Sequence, residues 1–395
     1  MTEKKAIRTY AEINKKIESK NVSVMTAEEF KAKVASDGLE KVAKEVDVVT
    51  TGTFGAMCSS GAMLNFGHSD PPIKMQKVWL DDVPAYTGVA AVDAYIGATE
   101  LDDTLNMFHG GAHVIEDLVR GKAVRLRSIS YGTDCYPKRD IDTWISLKTI
   151  NQAVLLNPRN CYQNYAVATN SSDKLIYTYM GKLLPDYGNA TYCSAGELSP
   201  LLNDPFFRTI GVGTRIFLGG AQGYVIWEGT QFNGKPPRSP NGTPRRPAGT
   251  LMVIGDLKKM SAEYLRAMIM HRYGTTLAVG IGVPIPILDL EMAKYCAVRD
   301  EEIFSALFDY SEQKRSRAVI REVNYAELKS GVIDIKGKKV FTSSLSSIYK
   351  AKQISGELKK SISKGQFHIQ EPIQKFDLET VFKPLDVRTR EEASK

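Results

Sequence analysis

The sequence predicts an α/β fold, with a mixed α+β arrangement as the alternative, in which one large domain is built around a mixed sheet. Helix signals fill the first 44 residues, and short apolar runs alternate with turn residues between about 73 and 230. Strand and helix patterns then alternate again after a proline-rich break. A chain of 395 residues with 43% hydrophobic content can bury a large core.

The first segment, residues 1–44, predicts a helical N-terminal arm with two helices over residues 7–44. Thr26 and Glu29 form a capping-box pattern ahead of an apolar run, which marks the start of the second helix. Residues 46–51 are mostly β-branched and predict a short strand that runs into a glycine-rich turn.

The second segment, residues 45–335, predicts the α/β domain itself. From residue 300 onward the pattern is mostly helical, with one hairpin near residues 331–340. The other expected elements are strands at 123–129, 175–180, 215–218, 224–227, 250–254 and 276–280, and helices at 112–120, 261–271 and 289–295.

A proline-rich loop at residues 229–250 interrupts this domain. Five of the 17 prolines fall there, together with four cations, so neither a helix nor a strand can persist. Long loops of this kind are usually functional lids or plain insertions, and we favour a mobile flap.

The third segment, residues 336–395, predicts a basic helical C-terminal tail. It contains 13 Lys and Arg against 7 Asp and Glu, so most of the net charge of +7 lies there. A solvated helix face is the simplest explanation. The tail has no aromatic-interleaved basic motif and no zinc-finger spacing, which argues against a nucleic-acid partner.

The composition also indicates the cellular compartment of the protein. No apolar run reaches the roughly 18 residues that a membrane span requires. The first residues show no apolar signal region, and the five cysteines are irregularly spaced without a CxxC pair. We therefore expect a cytoplasmic protein in a reducing environment, without a membrane partner.

Two cysteines lie in settings that favour a reactive thiolate. Cys58 lies in a glycine- and hydroxyl-rich turn, and Ala62, Met63 and Leu64 after it predict a helix whose N-terminus would favour the charged form. Cys135 lies in a second such turn with two cations within four residues. We expect these two thiols to meet in one water-accessible cleft.

The remaining cysteines point less clearly to chemistry. Cys296 lies at a helix end among apolar neighbours and matches a buried structural thiol, whereas Cys161 and Cys193 lie near polar turns and stay ambiguous. The wide gaps between the cysteines do not fit the local spacing of iron–sulfur motifs. Ligands could still converge in three dimensions, so that reading stays open.

Four segments together resemble the homocysteine-biosynthesis protein family of archaea and bacteria, the L-aspartate semialdehyde sulfurtransferases. The similarity covers nearly the whole chain, and the two cysteine motifs are the most specific part of it. The segments that carry it are residues 51–61 (TGTFGAMCSSG), 131–137 (YGTDCYP), 247–257 (PAGTLMVIGDL) and 280–288 (GIGVPIPIL).

The resemblance implies that sulfide sulfur and L-aspartate semialdehyde are converted to L-homocysteine, with two electrons supplied. It implies a persulfide on Cys135, with Cys58 as its functional companion. It also implies an iron–sulfur protein with a ferredoxin-like module as the electron-delivering partner, and we expect no tightly bound cofactor. Some relatives carry C-terminal nucleotide-sensing modules, and we expect no regulation of that kind here.

A mechanism follows as a hypothesis. The terminal sulfur on Cys135 attacks the aldehyde carbon, while backbone donors near Gly52–Gly55 stabilise the developing oxyanion. Cys58 then resolves the adduct as a disulfide, which the iron–sulfur partner reduces. Arg139 is our candidate for binding the substrate carboxylate.

The general acid stays open among three histidines. Two of them, His109 and His113, are separated by glycines that disfavour a zinc-binding helix, which leaves a role in proton transfer. His68 lies in a comparable loop.

Two other functions stay open, and each would give the cysteines a different role. One is an oxidoreductase that binds its own iron–sulfur centre through converging cysteines. The other is a non-catalytic sulfur-carrier scaffold for a partner enzyme. In each case we expect a homo-oligomer.

Overall fold

The computed structural model describes residues 7–393 of the chain. Within that range no helix combines the length and the apolar character needed to cross a membrane. The α-helices are α1 Tyr10–Glu18, α2 Ala27–Asp37, α3 Leu39–Glu45, α4 Gly111–Val119, α5 Pro200–Asn203, α6 Leu290–Cys296, α7 Tyr325–Lys329, α8 Ile348–Ser363 and α9 Arg390–Ala393.

Strands outnumber helices along the chain. The first half contains β1 Val24–Thr26, β2 Val48–Thr50, β3 Thr53–Ala56, β4 Gly61–Asn65, β5 Lys77–Leu80, β6 Val83–Ala85, β7 Asp93–Gly97, β8 Val124–Ile129, β9 Asp140–Ile145, β10 Gln152–Asn160, β11 Val167–Thr169 and β12 Ile176–Thr178. The second half contains β13 Gly181–Leu183, β14 Asn189–Tyr192, β15 Arg215–Leu218, β16 Ala221–Glu228, β17 Leu251–Asp256, β18 Leu265–Met270, β19 Gly274–Gly282, β20 Pro284–Pro286, β21 Phe304–Asp309, β22 Val319–Asn324, β23 Val332–Ile335 and β24 Lys338–Ser344.

A nine-stranded sheet forms the body of the molecule. Its order is β18-β19-β15-β16-β17-β10-β4-β7, and β3 pairs with β19 beside this path. Every pairing in it is antiparallel. The sheet brings β3 and β4, which flank Cys58, against the distant strands β10 and β19.

Smaller sheets surround this body. A six-stranded sheet of order β22-β21-β11-β14-β24-β23 alternates parallel and antiparallel pairs, so it is a mixed sheet. A four-stranded sheet of order β6-β5-β8-β9 presents the turn that contains Cys135. The prediction of a mixed α and β fold is confirmed, although the largest sheet is purely antiparallel.

The N-terminal helices and α8 pack together. Ile13 and Ile17 of α1 share a buried cluster with Leu358 and Ile362 of α8. Helix α8 also lies against β3 and β19 so closely that a Cβ at Gly52 would overlap the backbone carbonyl of α8. An N-terminal helix and a C-terminal helix therefore pack together, and α8 also packs against the strands that position Cys58.

The basic residues of α8 pair with acidic groups of the same chain. Lys352 pairs with Glu28 at 2.8 Å, and Lys359 pairs with Glu29 at 2.6 Å. This face of α8 is solvent-exposed, as the sequence predicted, and its cations form ion pairs with acidic residues of the N-terminal helix α2. Such surface pairs are weakly stabilising.

Several local predictions are confirmed. The capping box of Thr26 and Glu29 begins α2, and α4 and β8 lie within a residue or two of their predicted bounds. The N-terminal arm contains three helices rather than two, because Gly38 adopts φ +87° and separates α2 from α3. The hairpin expected near residues 331–340 is β23–β24.

Three predictions are wrong. Residues 261–271 were expected to be helical, but they contain β18, which pairs with β19 along its whole length. The segment after residue 300 is rich in strands rather than mostly helical. No helix follows Cys58, because Ala62, Met63 and Leu64 belong to β4, which pairs on both sides, with β7 and β10. In each case long-range strand pairing overrides the local pattern.

The proline-rich loop is packed against the body. Arg238 donates to the carbonyl oxygens of Pro205 (3.0 Å) and Gly242 (2.9 Å), and Asn164 donates to that of Pro244 (2.7 Å). The sequence favoured a mobile flap here. The structure shows instead a loop that these hydrogen bonds anchor to the body of the molecule.

Candidate active site

Cys58 lies in a tight turn between β3 and β4. The backbone N–H of Met57 donates to the Leu277 carbonyl at 2.8 Å, and that of Ser60 donates to the Met57 carbonyl at 3.0 Å. The hydroxyl of Thr276, a fully buried residue of β19, donates to Cys58 Sγ at 3.3 Å. This hydrogen bond fixes the position of the sulfur and can stabilise negative charge that develops on it during a reaction.

The thiol of Cys58 opens into a small cavity of about 60 Å³, which is room for a few water molecules. Among the described residues, Arg159 is the only charged side chain that lines this cavity, and none of the lining residues is a carboxylate. The lining residues are Thr53, Ala56, Met57, Cys58, Ser59, Arg159, Cys161, Tyr162, Tyr165, Tyr179, Cys193, Ser194, Ser199, Pro200 and Ser346.

Two further cysteines line this cavity. Burial raises the pKa of the Cys161 thiol to about 12. Burial, followed by the charge of Cys58, raises the pKa of the Cys193 thiol to about 12 as well. Both are therefore protonated at neutral pH, which makes them poor nucleophiles. Cys161 adopts φ +53°, an unusual backbone conformation for a side chain at a cavity wall.

Tyrosines form the opposite wall. The rings of Tyr162 and Tyr165 meet edge to face at 4.7 Å, and the hydroxyls of Tyr179 and Tyr310 are 3.0 Å apart. Burial raises the pKa of Tyr162 to about 12 and that of Tyr165 well above its ordinary value. These phenols therefore stay neutral and can donate hydrogen bonds to a ligand.

A second cavity adjoins the first through the same tyrosines. Tyr162, Tyr165 and Tyr179 line both, and Arg315 and Arg317 line the second one. Within residues 7–393, no carboxylate lines the second cavity either. The charged side chains that line the two cavities in this part of the chain are all arginines, which favours anionic ligands.

Cys135 lies elsewhere, exposed on the turn between β8 and β9. Its sulfur is 3.6 Å from Thr133 Oγ1. The ring of His68 stacks on that of Tyr136 at 5.5 Å, and the backbone N–H of Lys138 donates to the Pro72 carbonyl at 3.2 Å. The Cys135 turn is therefore attached to the segment that follows β4.

Cys135 does not line the Cys58 cavity. Cys58 precedes β4, whereas the Cys135 turn contacts residues that come after this strand. Cys135 is not among the described residues that form the cavity wall, so this structure does not bring the two sulfurs together in one cleft, contrary to the expectation from the sequence.

Other predicted contributors lie outside the Cys58 cavity. Arg139 is exposed in the Cys135 turn, with its side chain beside Gly132. The rings of His109 and His113 are 5.5 Å apart at the start of α4, and burial together with the neighbouring imidazole lowers the pKa of His113. His68 belongs to the Cys135 turn rather than to the cavity.

The expected oxyanion donors are used by the fold. The N–H of Gly52 donates to the Leu198 carbonyl at 3.0 Å, and residues 53–56 pair with β19. Gly55 also forms a bridge with Ser346 on the other side. The prediction of free oxyanion donors near Gly52–Gly55 is therefore not met. The reason is that residues 53–56 form strand β3, which the glycine pattern did not predict.

The last of the five cysteines, Cys296, lies away from solvent, and the described residues show no metal-binding cluster. Cys296 is fully buried, as expected, and its thiol donates to the Asn203 carbonyl at 3.5 Å. Among residues 7–393, no group of three or more His, Cys, Asp or Glu side chains is arranged to hold a metal ion.

Comparison with known proteins decides the family. The model of the family described as "Homocysteine biosynthesis enzyme, sulfur-incorporation" matches residues 22–369. The chain belongs to this family. Both cysteine turns, the Cys58 cavity and the tyrosine wall of this homocysteine biosynthesis enzyme family member lie within the matched residues.

Two relatives are named L-aspartate semialdehyde sulfurtransferase. The protein from Methanosarcina acetivorans is 56% identical over 93% of this chain and 72% of its own length. The protein from Methanocaldococcus jannaschii is 51% identical over 93% of this chain and 73% of its own length. An uncharacterized protein from Methanothermobacter thermautotrophicus is 28% identical over 82% of this chain. No solved structure gives a significant match.

Sequence reasoning missed most of the cavity. Thr276, Arg159 and the tyrosines come from strands and loops far from Cys58 along the chain, and no local motif marks them. Cys193 had one relevant signal, the polar turn that follows it.

Proposed function

We propose that this protein converts L-aspartate semialdehyde, sulfide and two electrons into L-homocysteine and water. The names of the two most similar relatives described above support this proposal. The geometric observation that carries it is the Cys58 thiol, which accepts a hydrogen bond from Thr276 inside a cavity without acidic side chains. The cleft that this cavity forms with the adjoining one has cations and no carboxylate among its described lining residues, which favours an anionic sulfur nucleophile and a carboxylate-bearing aldehyde.

The two reactive thiols have different surroundings, and we assign them different tasks. Cys135 is exposed, so sulfide or a protein partner can reach it. In this proposal sulfide opens a Cys58–Cys135 disulfide, which is the two-electron oxidant: the sulfide sulfur becomes the outer sulfur of a Cys135 persulfide and the Cys58 thiol is released. The persulfide adds to the aldehyde, Cys58 re-forms the disulfide as it releases the sulfur with the substrate, and the two external electrons reduce that hydroxy-thiol adduct to homocysteine and water. Cys58 is half-buried at a cavity lined by tyrosines, and in this proposal it acts beside the aldehyde.

Because Cys135 does not line the Cys58 cavity, a step that joins the two thiols requires a rearrangement. Either the exposed Cys135 turn moves, or a second copy of the chain in a homo-oligomer presents its own Cys135. Electrons come from an iron–sulfur, ferredoxin-like protein in this scheme, and the chain itself holds no tightly bound cofactor. The free, partly exposed cysteines suit a reducing cytoplasmic compartment.

The test is homocysteine formation from sulfide and L-aspartate semialdehyde with a low-potential reductant. We expect Cys58→Ala and Cys135→Ala to abolish turnover. Cys296→Ala is the matched control, because Cys296 is buried away from both turns, and we expect it to keep most of the activity. Turnover retained without Cys58 would remove the cavity from the mechanism.

The same preparation separates the two other functions. A colourless protein that turns over with external reductant supports the proposal, whereas iron–sulfur absorbance that tracks activity supports a resident redox centre. A persulfide on Cys135 without any turnover of the aldehyde supports a sulfur carrier.

A further inference from the structure

Arg159 lies at an irregular point of the strand that borders the Cys58 turn. Strand β10 pairs with β17 in register up to Asn157 and resumes at Asn160, so residues 158 and 159 form a bulge. Bulges redirect a side chain out of the regular alternation and are frequent beside active sites. The bulge places Arg159 in the wall of the cavity that contains Cys58.

Hydrogen bonds join this bulge to the Cys58 turn. The Ser59 hydroxyl lies 2.8 Å from Asn157 Oδ1 and 2.7 Å from the Arg159 carbonyl oxygen, so it can donate to either. The Arg159 N–H donates to Asn157 Oδ1 at 2.9 Å, and Asn157 Nδ2 donates to Ser60 Oγ at 2.7 Å. Cys58 and Arg159 are therefore held in a fixed relation by the residues that flank them.

The guanidinium of Arg159 has no acceptor in the described part of the chain. Its Nε atom is buried without a hydrogen-bond partner, as is that of Arg317 in the adjoining cavity, and no salt bridge to Arg159 occurs among residues 7–393. An unpaired buried donor costs about 1–3 kcal/mol, which a bound acceptor would recover. A carboxylate-bearing ligand beside Cys58 would supply that acceptor to Arg159.

We propose that Arg159 binds the α-carboxylate of the amino-acid aldehyde and thereby holds its aldehyde carbon next to Cys58. This inference rests on the proposed function and names the residue that recognises the substrate. Guanidinium binds carboxylate through two parallel hydrogen bonds, which fix orientation as well as position. Arg159 thus takes the role that the sequence suggested for Arg139, which is exposed beside Cys135.

The size of the substrate favours Arg159 over the other arginines of the cleft. Only two carbon atoms lie between the carboxylate and the aldehyde of L-aspartate semialdehyde, so the carboxylate has to bind close to the reacting sulfur. Arg159 shares a cavity with Cys58, whereas Arg315 and Arg317 line only the adjoining cavity beyond the tyrosines. Their guanidinium groups also stack on the rings of Phe382 and Tyr310.

The experiment compares Arg159→Gln and Arg159→Lys with the wild-type protein. We expect Arg159→Gln to raise KM for L-aspartate semialdehyde about 10- to 100-fold, because a hydrogen-bonded charge pair is lost. We expect Arg159→Lys to recover part of that loss. Arg127→Gln is the matched control, since Arg127 also has a buried, unpaired Nε but pairs with Asp82 on another sheet.

A binding measurement separates this inference from the proposed function. L-homoserine retains the carboxylate but cannot react, and its carboxamide lacks the negative charge. By calorimetry we expect the wild-type protein to prefer homoserine over the amide and Arg159→Gln to lose that preference. This result supports the carboxylate site even if the wild-type protein fails to turn over the aldehyde, which would overturn the proposed function alone.

Two results overturn the inference. One is an active wild-type enzyme for which Arg159→Gln leaves KM and homoserine binding unchanged. The other is a rise in KM in Arg317→Gln, with Arg159→Gln unaffected, which would place the carboxylate in the adjoining cavity.

Discussion

Thr276→Val tests whether the hydrogen bond to Cys58 maintains the reactive form of the thiol. Thr276 Oγ1 donates to Cys58 Sγ at 3.3 Å, and valine keeps the shape of the side chain while removing the hydroxyl. A hydrogen bond to a charged acceptor contributes about 1.5–3 kcal/mol. At about 1.4 kcal/mol per factor of ten, its loss should reduce thiolate-dependent rates about 10- to 150-fold.

The assay is the alkylation of Cys58 by iodoacetamide at fixed pH, followed by mass spectrometry of the Cys58 peptide. The rate of homocysteine formation should fall in parallel. Thr276→Ser restores the hydroxyl and should recover most of both rates. The matched control is Thr275→Val on the same strand, because the Thr275 hydroxyl donates to the Ala98 carbonyl (3.0 Å) and not to Cys58.

One result would refute this reasoning. If Thr276→Val is alkylated at Cys58 as fast as the wild-type protein, the hydroxyl does not stabilise the thiolate. Alkylation that slows equally in Thr275→Val would instead point to a general disturbance of β19.

Two further predictions concern stability. Burial lowers the pKa of Lys31 to about 8, so the folded protein releases this proton at lower pH than the unfolded chain. The free energy of unfolding of the wild type, relative to Lys31→Met, should therefore rise between about pH 8 and pH 10.5 by on the order of 1–3 kcal/mol, and a flat difference in chemical denaturation would contradict this. Gly52→Ala should lower the free energy of unfolding by about 1–3 kcal/mol or more, because its Cβ would overlap the Ala351 carbonyl. Gly97→Ala, where a Cβ meets no atom within 4 Å, is the control, and equal losses in the two variants would reject the steric argument.

Features that depend on neighbours in sequence could be predicted. The capping box at Thr26 and Glu29 needs only three residues of spacing, and helix α4 needs one amphipathic stretch that ends near Gly121. The Cys58 turn was recognisable from its glycines and hydroxyls for the same reason. Each of these features has a local sequence signal, which is why it could be recognised from the sequence alone.

Features that depend on strand pairing between residues far apart in the sequence could not be predicted. The sequence predicted a helix at residues 265–270 because their apolar positions fit both the helical and the strand periodicity. Only the pairing with β19 makes this segment a strand. Arg159 and Thr276 reach Cys58 through two different neighbouring strands, and a bulge has no dependable local pattern. The thiol was therefore predictable, whereas the residues that surround it were not.

The separation of the two thiols fits the demands of the proposed chemistry. A thiol that receives sulfur from a donor protein has to be exposed, as Cys135 is beside the stacked rings of His68 and Tyr136. A thiol that acts on an aldehyde benefits from an enclosed site with an aligned cation, which Cys58 has in Arg159 and the tyrosine wall. In the proposed function these two demands are met by two separate sites, which a moving Cys135 turn or the Cys135 turn of a second copy would connect.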